Sequence, residues 1–173
     1  MVNDELRLEL LALADEDQRV RKAAGERAGP GEEIPDDIAR EWTRVDERNT
    51  ARLAEIVSEH GWPTRSLVGD DGANAAWLLA QHADHNLDQQ KRFPDLMHAA
   101  VAVNEASAVD LAYLTDRVAT HAGQPQIYGT QLRPGPDGRL TDYPIADSDT
   151  VDQRRAALGL DPLVDYIAAS QQR

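Results

Sequence analysis

Cysteine is absent from the 173-residue sequence, which excludes disulfide bonds and thiolate metal sites and is compatible with a reducing cytoplasm. Aromatic residues are scarce, at 5%, and there is a single phenylalanine. A hydrophobic core must therefore rest on Ala, Leu and Val, which favours closely packed helices. Long apolar runs are missing too, since none approaches the roughly 20 residues that a helix needs to span a bilayer.

Basic residues are few relative to acidic ones: 18 Lys and Arg against 31 Asp and Glu give a formal net charge of -13. Binding to a nucleic-acid backbone needs a basic face, so we expect no nucleic-acid partner and no membrane partner. The acidic residues are dispersed, which favours a role in solubility over an acidic recognition tail. The first residues show no basic segment followed by an apolar one, so we expect no signal peptide and a cytoplasmic protein.

Helical periodicity runs through most of the chain. Asn3 can cap a first helix, and a second helix is predicted from about Asp36 to its stop at Gly61. Between them, residues 28–36 are rich in Gly, Pro and acidic residues and predict a solvated linker. The length suits one domain, so we predict a mainly α, compact multi-helix single domain over residues 1–173.

The pattern changes in the C-terminal third of the chain. Residues 126–132 and 139–145 alternate and contain β-favouring residues, and the Pro- and Gly-rich segment between them is typical of a turn. We therefore predict one β-hairpin over residues 126–145. Gly129, inside the first strand, indicates a bulge or a close backbone approach.

A cluster of proton-handling side chains follows the apolar, helix-forming run 75–80. Gln81, His82, Asp84 and His85 come directly after that run. Because Ala and Leu strongly favour helix, we expect the helix to continue to His85. Amide, imidazole and carboxylate groups on a rigid element beside core residues are typical of a prepared site.

Other polar residues stand where helical spacing predicts burial. Asp17 falls on the apolar stripe of the first helix, and Asn49 interrupts that of the second, one turn after Asp46. In one interpretation Asp17 faces solvent and Asn49 ties down a neighbouring backbone segment. In the other, Asn49 and Asp46 face the same cavity as Asp17. Asp116 follows the apolar side of a later helix and is as compatible with an inward as with an outward position.

Two short motifs stand out, Gln81-His82-Ala83-Asp84 and Tyr128-Gly129-Thr130-Gln131. Further pieces are Asp17-Gln18 with Arg21, Asp46 with Asn49, Gly61-Trp62-Pro63, Trp77, Gln90, Asp116-Arg117 and Gln126. With these pieces, spread over nearly the whole chain, the sequence resembles a bacterial family of uncharacterised domains. The resemblance implies which residues form the site, but it implies no reaction.

We expect a small-molecule enzyme of hydrolase or lyase/isomerase type that applies metal-independent general acid–base chemistry to a polar or anionic metabolite. His82 is the natural proton carrier because imidazole titrates near neutrality. Asp116, Asp46 or Asp17, each from another helix, would orient its ring. Asp84 is a poorer direct partner, since residues two apart on a helix do not face each other. The predicted catalytic set is His82, Asp84, Asp116 and Asp46, with Asp46 or Asp116 as the orienting group.

The remaining polar side chains would hold the substrate. Amide and hydroxyl groups can bind a polar substrate, and guanidinium groups a carboxylate or a phosphate. The predicted substrate-binding residues are Asp17, Gln18, Asn49, Gln81, Arg117, Gln126, Tyr128, Gln131 and Arg154. We expect no cofactor, and the sequence leaves the oligomeric state open.

Two alternatives stay open. His82 and His85, at i and i+3 of one helix, could bind Zn²⁺ or Fe²⁺ with a carboxylate in a metal-dependent hydrolase, although no His-Glu-x-x-His or Glu-x-x-His motif is present. The polar residues could instead form a structural network in a ligand-binding or protein-interaction module without catalysis. The enzyme is favoured because acidic, amide and imidazole groups come from at least four separate segments.

Overall fold

Two compact units make up the chain, residues 1–106 and residues 107–173, and each is described by itself. The computed structural model describes residues 2–28 and 33–172. Within these residues the fold is mainly α with one two-stranded antiparallel hairpin in the C-terminal third, which confirms the predicted fold class. One domain over the whole chain stays a prediction.

Helices form the first unit, and the sequence signals for the start of the first helix and the end of the second are confirmed. The Asn3 side chain accepts a hydrogen bond from the Leu6 N–H at 3.1 Å, so the predicted cap of the first helix is confirmed. The second helix stops just before Gly61, whose φ of 73° suits a residue without Cβ. The helices are α1 (Asp4–Arg27), α2 (Asp36–His60), α3 (Arg65–Gln81), α4 (Leu87–Gln90) and α5 (Phe93–Ala102).

The first helix packs against both the second and the third, and the apolar core of this unit lies between them. The helical stripe predicted for α1 is buried, because positions three to four apart share one helix face. Large apolar side chains that are at most 1% exposed in this unit are Leu10, Val20, Val45, Leu53, Ile56, Val68, Leu79 and Phe93. This core holds in place the helix faces that carry the polar site.

The predicted linker, residues 28–36, is only partly described, because residues 29–32 lie outside the described residues. Residues 33–35 have no regular secondary structure, and α2 begins at Asp36 as the sequence indicates.

The prediction that the third helix continues to His85 is wrong. It ends at Gln81, and residues 82–86 form turns before α4. The buried Gln90 side chain explains the stop, because its Nε2 donates to the carbonyl oxygens of Ala80 at 3.4 Å and Gln81 at 3.1 Å. A helix that continued would use those carbonyls in its own ladder.

The second unit combines short helices with the hairpin. Its elements are α6 (Ala108–His121), β1 (Leu132–Pro134), β2 (Leu140–Asp142), a 3₁₀ turn (Ser148–Thr150), α7 (Val151–Ala157) and α8 (Leu163–Ser170). In the antiparallel pair, Leu132 lies opposite Asp142 and Pro134 opposite Leu140. Its buried side chains include Ala112, Leu114 and Val151 together with the polar Asp116, Gln126, Thr130 and Arg155.

The hairpin is shorter than the predicted span of residues 126–145. Residues 127–131 belong to no strand, and Gln126 makes only an isolated parallel bridge with Ile145. The physical reason is that the Asp116 and Gln126 side chains bind backbone groups that a strand would use for its ladder. Side-chain partners compete with sheet pairing for the same backbone donors.

No helix in residues 2–28 and 33–172 combines the length and the apolar character needed to cross a membrane.

Candidate active site

His82 lies at the end of α3, at the start of a tight turn. Its backbone N–H bonds to the Leu78 carbonyl oxygen at 3.2 Å, and the next residue, Ala83, is fully buried. Gln90 fixes the rest of the turn, because its Nε2 also donates to Asp84 Oδ1 at 2.8 Å. These bonds therefore fix the backbone positions of His82 and Asp84, the two residues that flank the buried Ala83.

The side chain of His82 meets a buried carboxylate from α1. Nδ1 of the ring lies 2.9 Å from each carboxylate oxygen of Asp17, whose side chain is only 1% exposed. Gln18 Nε2 donates to the same carboxylate at 2.8 Å. The carboxylate that contacts His82 is thus Asp17, whereas Asp46 or Asp116 was the preferred expectation. The imidazole itself is 18% exposed.

Arg21 connects this pair to α2. Its Nε lies 2.9 Å from His82 Nδ1, and its Nη2 lies 3.1 Å from Asp17 Oδ1 and 3.0 Å from Asp46 Oδ1. Trp42 completes the arrangement, since its Nε1 donates to Asp46 Oδ2 at 2.8 Å and its ring centroid lies 4.6 Å from the Arg21 guanidinium carbon. We use the name dyad network for the His82–Asp17 pair together with Arg21, Trp42 and Asp46.

The two carboxylates that share Arg21 differ in acidity. Burial alone would raise the pKa of Asp17, but the hydrogen bond and charge of His82 and the charge of Arg21 outweigh it, so this pKa lies below its ordinary value. Burial is also the largest influence on Asp46, and there it prevails over Arg21, so the pKa of Asp46 lies above its ordinary value. Environments that separate two carboxyl groups in this way suit different acid–base roles.

A cavity of about 330 Å³ adjoins the dyad network. Trp42 and Asp46 belong to both, so the cavity and the network share a wall. The lining residues are Ile34, Ala39, Trp42, Thr43, Asp46, Asp84 and His85. The volume falls in the range of roughly 300–1,000 Å³ that is usual for small-molecule sites, and the lining combines apolar groups with a few polar ones.

Two predicted substrate-binding residues of the first unit have structural contacts. Asn49 is buried, and its Nδ2 donates to the Leu13 carbonyl oxygen at 3.2 Å, so it ties α2 to α1. Gln81 is the buried last residue of α3, and its carbonyl oxygen accepts from Gln90.

Asp116, which was predicted to be catalytic, holds a loop of the second unit. Its side chain is fully buried and accepts backbone N–H bonds from Ile127 at 2.6 Å, Tyr128 at 3.1 Å and Thr130 at 2.9 Å. The Thr130 hydroxyl adds a bond at 3.0 Å. A carboxylate with four donors around it is well suited to stabilising that backbone conformation. Arg117 follows it on α6 and is half-buried.

The same loop accounts for several other predicted site residues. Gln126 is fully buried. Its Nε2 donates to the carbonyl oxygens of Gln131 and Tyr143, and its Oε1 accepts from the Gln131 N–H. Arg154 donates to the carbonyl oxygens of Ile127 and Ala146. The Tyr128-to-Gln131 motif is therefore a loop whose backbone is bound by side chains from α6 and α7.

Gly129 explains part of the same motif. Its φ is 70°, and a Cβ there would lie 2.7 Å from Leu163 Cδ1 and 3.1 Å from Ile145 Cδ1. The predicted close backbone approach is confirmed. Arg155 was not predicted to be buried. The structure buries it, and its Nη1 donates to the Tyr128 carbonyl oxygen at 2.8 Å.

The two histidines of the metal hypothesis do not share a helix face, because α3 ends before both of them. His82 contacts Asp17, whereas His85 lines the cavity. In the part of the chain that the structure describes, no group of three or more His, Asp or Glu side chains is arranged to hold a metal ion.

Sequence reasoning gave too little weight to Arg21 and overlooked Trp42. A local signal for both was present, because Asp17 and Arg21 are four residues apart on one helix, as are Trp42 and Asp46 on the next. Side chains at this spacing lie on the same helix face. Two such pairs on adjacent helices could have indicated one shared cluster.

The fold and the site define a mainly α protein in which an imidazole contacts a buried carboxylate and is connected through Arg21 to two residues that line a small cavity. Over residues 4–172 the chain matches the model of a family of unknown function, DUF6624, and it belongs to that family. This confirms the predicted resemblance to a family of uncharacterised domains. No curated protein and no solved structure gives a significant match to the chain.

Proposed function

We propose that the protein is a small-molecule enzyme in which His82 acts as the general acid–base group and Asp17 orients it. The observation that carries the proposal is the contact of His82 Nδ1 with both oxygens of a carboxylate that is 1% exposed. A buried carboxylate at Nδ1 fixes the ring and stabilises the imidazolium that forms when the other nitrogen takes a proton. Nε2 is the atom that exchanges the proton with the substrate.

The reaction class is hydrolytic or of lyase/isomerase type, because each needs one group that accepts and later returns a proton. In the first case Nε2 takes a proton from water as it attacks, and in the second from a carbon or hydroxyl of the substrate. Either way the proton goes back to the leaving group or to the product, so the enzyme ends each cycle unchanged.

The cavity lining narrows the class of substrate. It contributes the carboxylates of Asp46 and Asp84, the imidazole of His85 and the indole of Trp42, and its residues in the described ranges include no Lys or Arg. Carboxylates accept hydrogen bonds and repel anions. The substrate we propose is a small polar molecule with hydrogen-bond donors, in preference to the anionic metabolite that the sequence also allowed.

The test is turnover of a panel of esters, amides, phosphoesters and carbonyl compounds with acidic C–H bonds. His82→Ala should lower turnover by about 10²–10⁴-fold, the usual contribution of general acid–base catalysis, with an unchanged circular dichroism spectrum. His98→Ala, at an exposed position of α5, is the matched control and should keep full activity. Turnover that survives His82→Ala overturns the proposal, and so does stoichiometric zinc or iron in protein purified without a His tag.

A ligand-binding module without catalysis is the second candidate. It is favoured by the second unit, where Asp116 and Gln126 show that buried polar groups of this chain can serve a structural purpose. If it is correct, His82→Ala unfolds the protein or lowers its melting temperature, and no member of the panel is turned over by the wild type.

A further inference from the structure

One ring nitrogen of His82 has two partners of opposite polarity at the same distance. Nδ1 lies 2.9 Å from the Asp17 carboxylate oxygens, which only accept, and 2.9 Å from Arg21 Nε, which only donates. An imidazole nitrogen carries either a proton or a lone pair in the plane of the ring. Only one of the two contacts can therefore be a hydrogen bond at any moment.

The two bonding states place the proton of the neutral ring on different atoms. When Nδ1 carries the proton it donates to Asp17, and Nε2 has a lone pair that can act as a base. When Nδ1 accepts from Arg21 Nε–H, the proton sits on Nε2, which can then act as an acid or a hydrogen-bond donor. Conversion releases a proton from one nitrogen to water and takes one up at the other, while Arg21 stays protonated.

We propose that Arg21 is a positioning residue that sets the tautomer of His82 by competing with Asp17 for Nδ1. This rests on the proposed function of His82, since the tautomer decides whether Nε2 starts the reaction as a base or as an acid. Without Arg21, Asp17 alone holds Nδ1–H and the ring has one state. With Arg21, the Nε2–H state is populated as well.

The position of Arg21 is itself fixed from the cavity side. Its Nη2 bonds to Asp46 at 3.0 and 3.2 Å, and its guanidinium stacks over Trp42. Both Asp46 and Trp42 line the cavity. A group that binds to Asp46 competes with Arg21 for the carboxylate, so occupation of the cavity is coupled through Arg21 to the proton position on His82.

The charged groups around the ring come from two helices, and Asp46 acts on the ring through its bond to Arg21. Asp17 and Arg21 are on α1 and Asp46 is on α2, and all three side chains are less than one-fifth exposed. Salt and water screen the interactions between such buried charges only weakly. The removal of one of these charged groups should therefore change the proton position on the imidazole nitrogens.

The experiment is ¹⁵N NMR of the His82 ring in the full chain, at a pH where titration of the same signals shows the ring to be neutral. Wild-type protein should show a contribution of the Nε2–H tautomer. Arg21→Met should remove this contribution, and Asp17→Asn should raise it, so the two variants shift the signals in opposite directions. Arg19→Met, at an exposed arginine of the same helix that pairs with Glu16 and Glu41, should leave them unchanged.

If Arg21→Met does not fold, Asp17→Asn still tests the competition, because it replaces a carboxylate that only accepts by an amide that can also donate, while Arg21 keeps its donor. Identical His82 tautomers in the wild type and the Arg21 variant would overturn the proposal, as would shifts in the same direction for the Asp17 and Arg21 variants. The readout needs no turnover, so it stands apart from the His82→Ala activity test of the proposed function.

Discussion

Asp116 is a carboxylate for which a structural role can be separated from a catalytic role by experiment. Its Oδ1 accepts the N–H of Ile127, its Oδ2 accepts the N–H and the hydroxyl of Thr130, and the N–H of Tyr128 lies 3.1 Å from both oxygens. Asp116→Asn keeps the shape but replaces one oxygen by an NH₂ group that donates. If the amide oxygen stays with Thr130, it also remains within reach of the Tyr128 N–H, and the N–H of Ile127 faces another donor.

The magnitude follows from these contacts. A hydrogen bond to a charged group contributes about 1.5–3 kcal/mol, so the loss of the Ile127 bond lowers the free energy of unfolding by about 1.5–3 kcal/mol. This is a measurable part of the roughly 5–15 kcal/mol that stabilises an ordinary domain. The effect should be centred on the second unit, because all four donors belong to the loop at residues 127–130.

The assay is urea unfolding followed with two probes. All three tryptophans lie in residues 1–106 and all four tyrosines in residues 107–173, so tryptophan fluorescence reads the first unit and tyrosine near-ultraviolet circular dichroism the second. Asp149→Asn, at an exposed carboxylate of the second unit, is the control and should change stability by less than about 0.5 kcal/mol. The structural assignment is refuted if Asp116→Asn is equally harmless and alters activity alone.

Further predictions concern the close approach at Gly129 and the two carboxylates around Arg21. Gly129 and Gly138 have φ of 70° and 77°, but only a Cβ at 129 meets another side chain, at 2.7 Å. Overpacking costs about 1–3 kcal/mol, so Gly129→Ala should be less stable than Gly138→Ala by about that amount in thermal or urea unfolding, and equal stability would contradict the contact. The pKa of Asp17 is lowered in the folded protein, so the stabilisation that its carboxylate contributes is present above its ordinary pKa of about 3.9. This contribution is lost as the pH falls through the folded pKa. Asp17→Asn should therefore flatten the rise of unfolding free energy with pH. The pKa of Asp46 is raised in the folded protein, so the stabilisation that its protonated form contributes is present below its ordinary pKa and is lost as the pH rises through the folded pKa. Asp46→Asn should therefore steepen the rise of unfolding free energy with pH. Parallel pH profiles for the wild type and both variants would exclude these two pKa shifts.

Local sequence signals determined the secondary structure where the backbone satisfies its own hydrogen bonds. The Asn3 cap, the stop of α2 at Gly61 and the helical spacing of the core residues depend on neighbours within one or two turns. Those signals failed at the end of α3 and in the hairpin. In both places a side chain from elsewhere, Gln90 or Asp116, takes the backbone groups that helix or strand would use.

The residue types of the candidate site were also readable from the sequence, since buried polar positions interrupt otherwise apolar helix faces. Which carboxylate meets which partner was not. Asp17 and His82 are 65 residues apart, and Asp116 and Thr130 are 14 apart. Only the packing of the helices decides such pairs, because a shift of one residue along a helix turns a side chain by about 100° and moves it to another face.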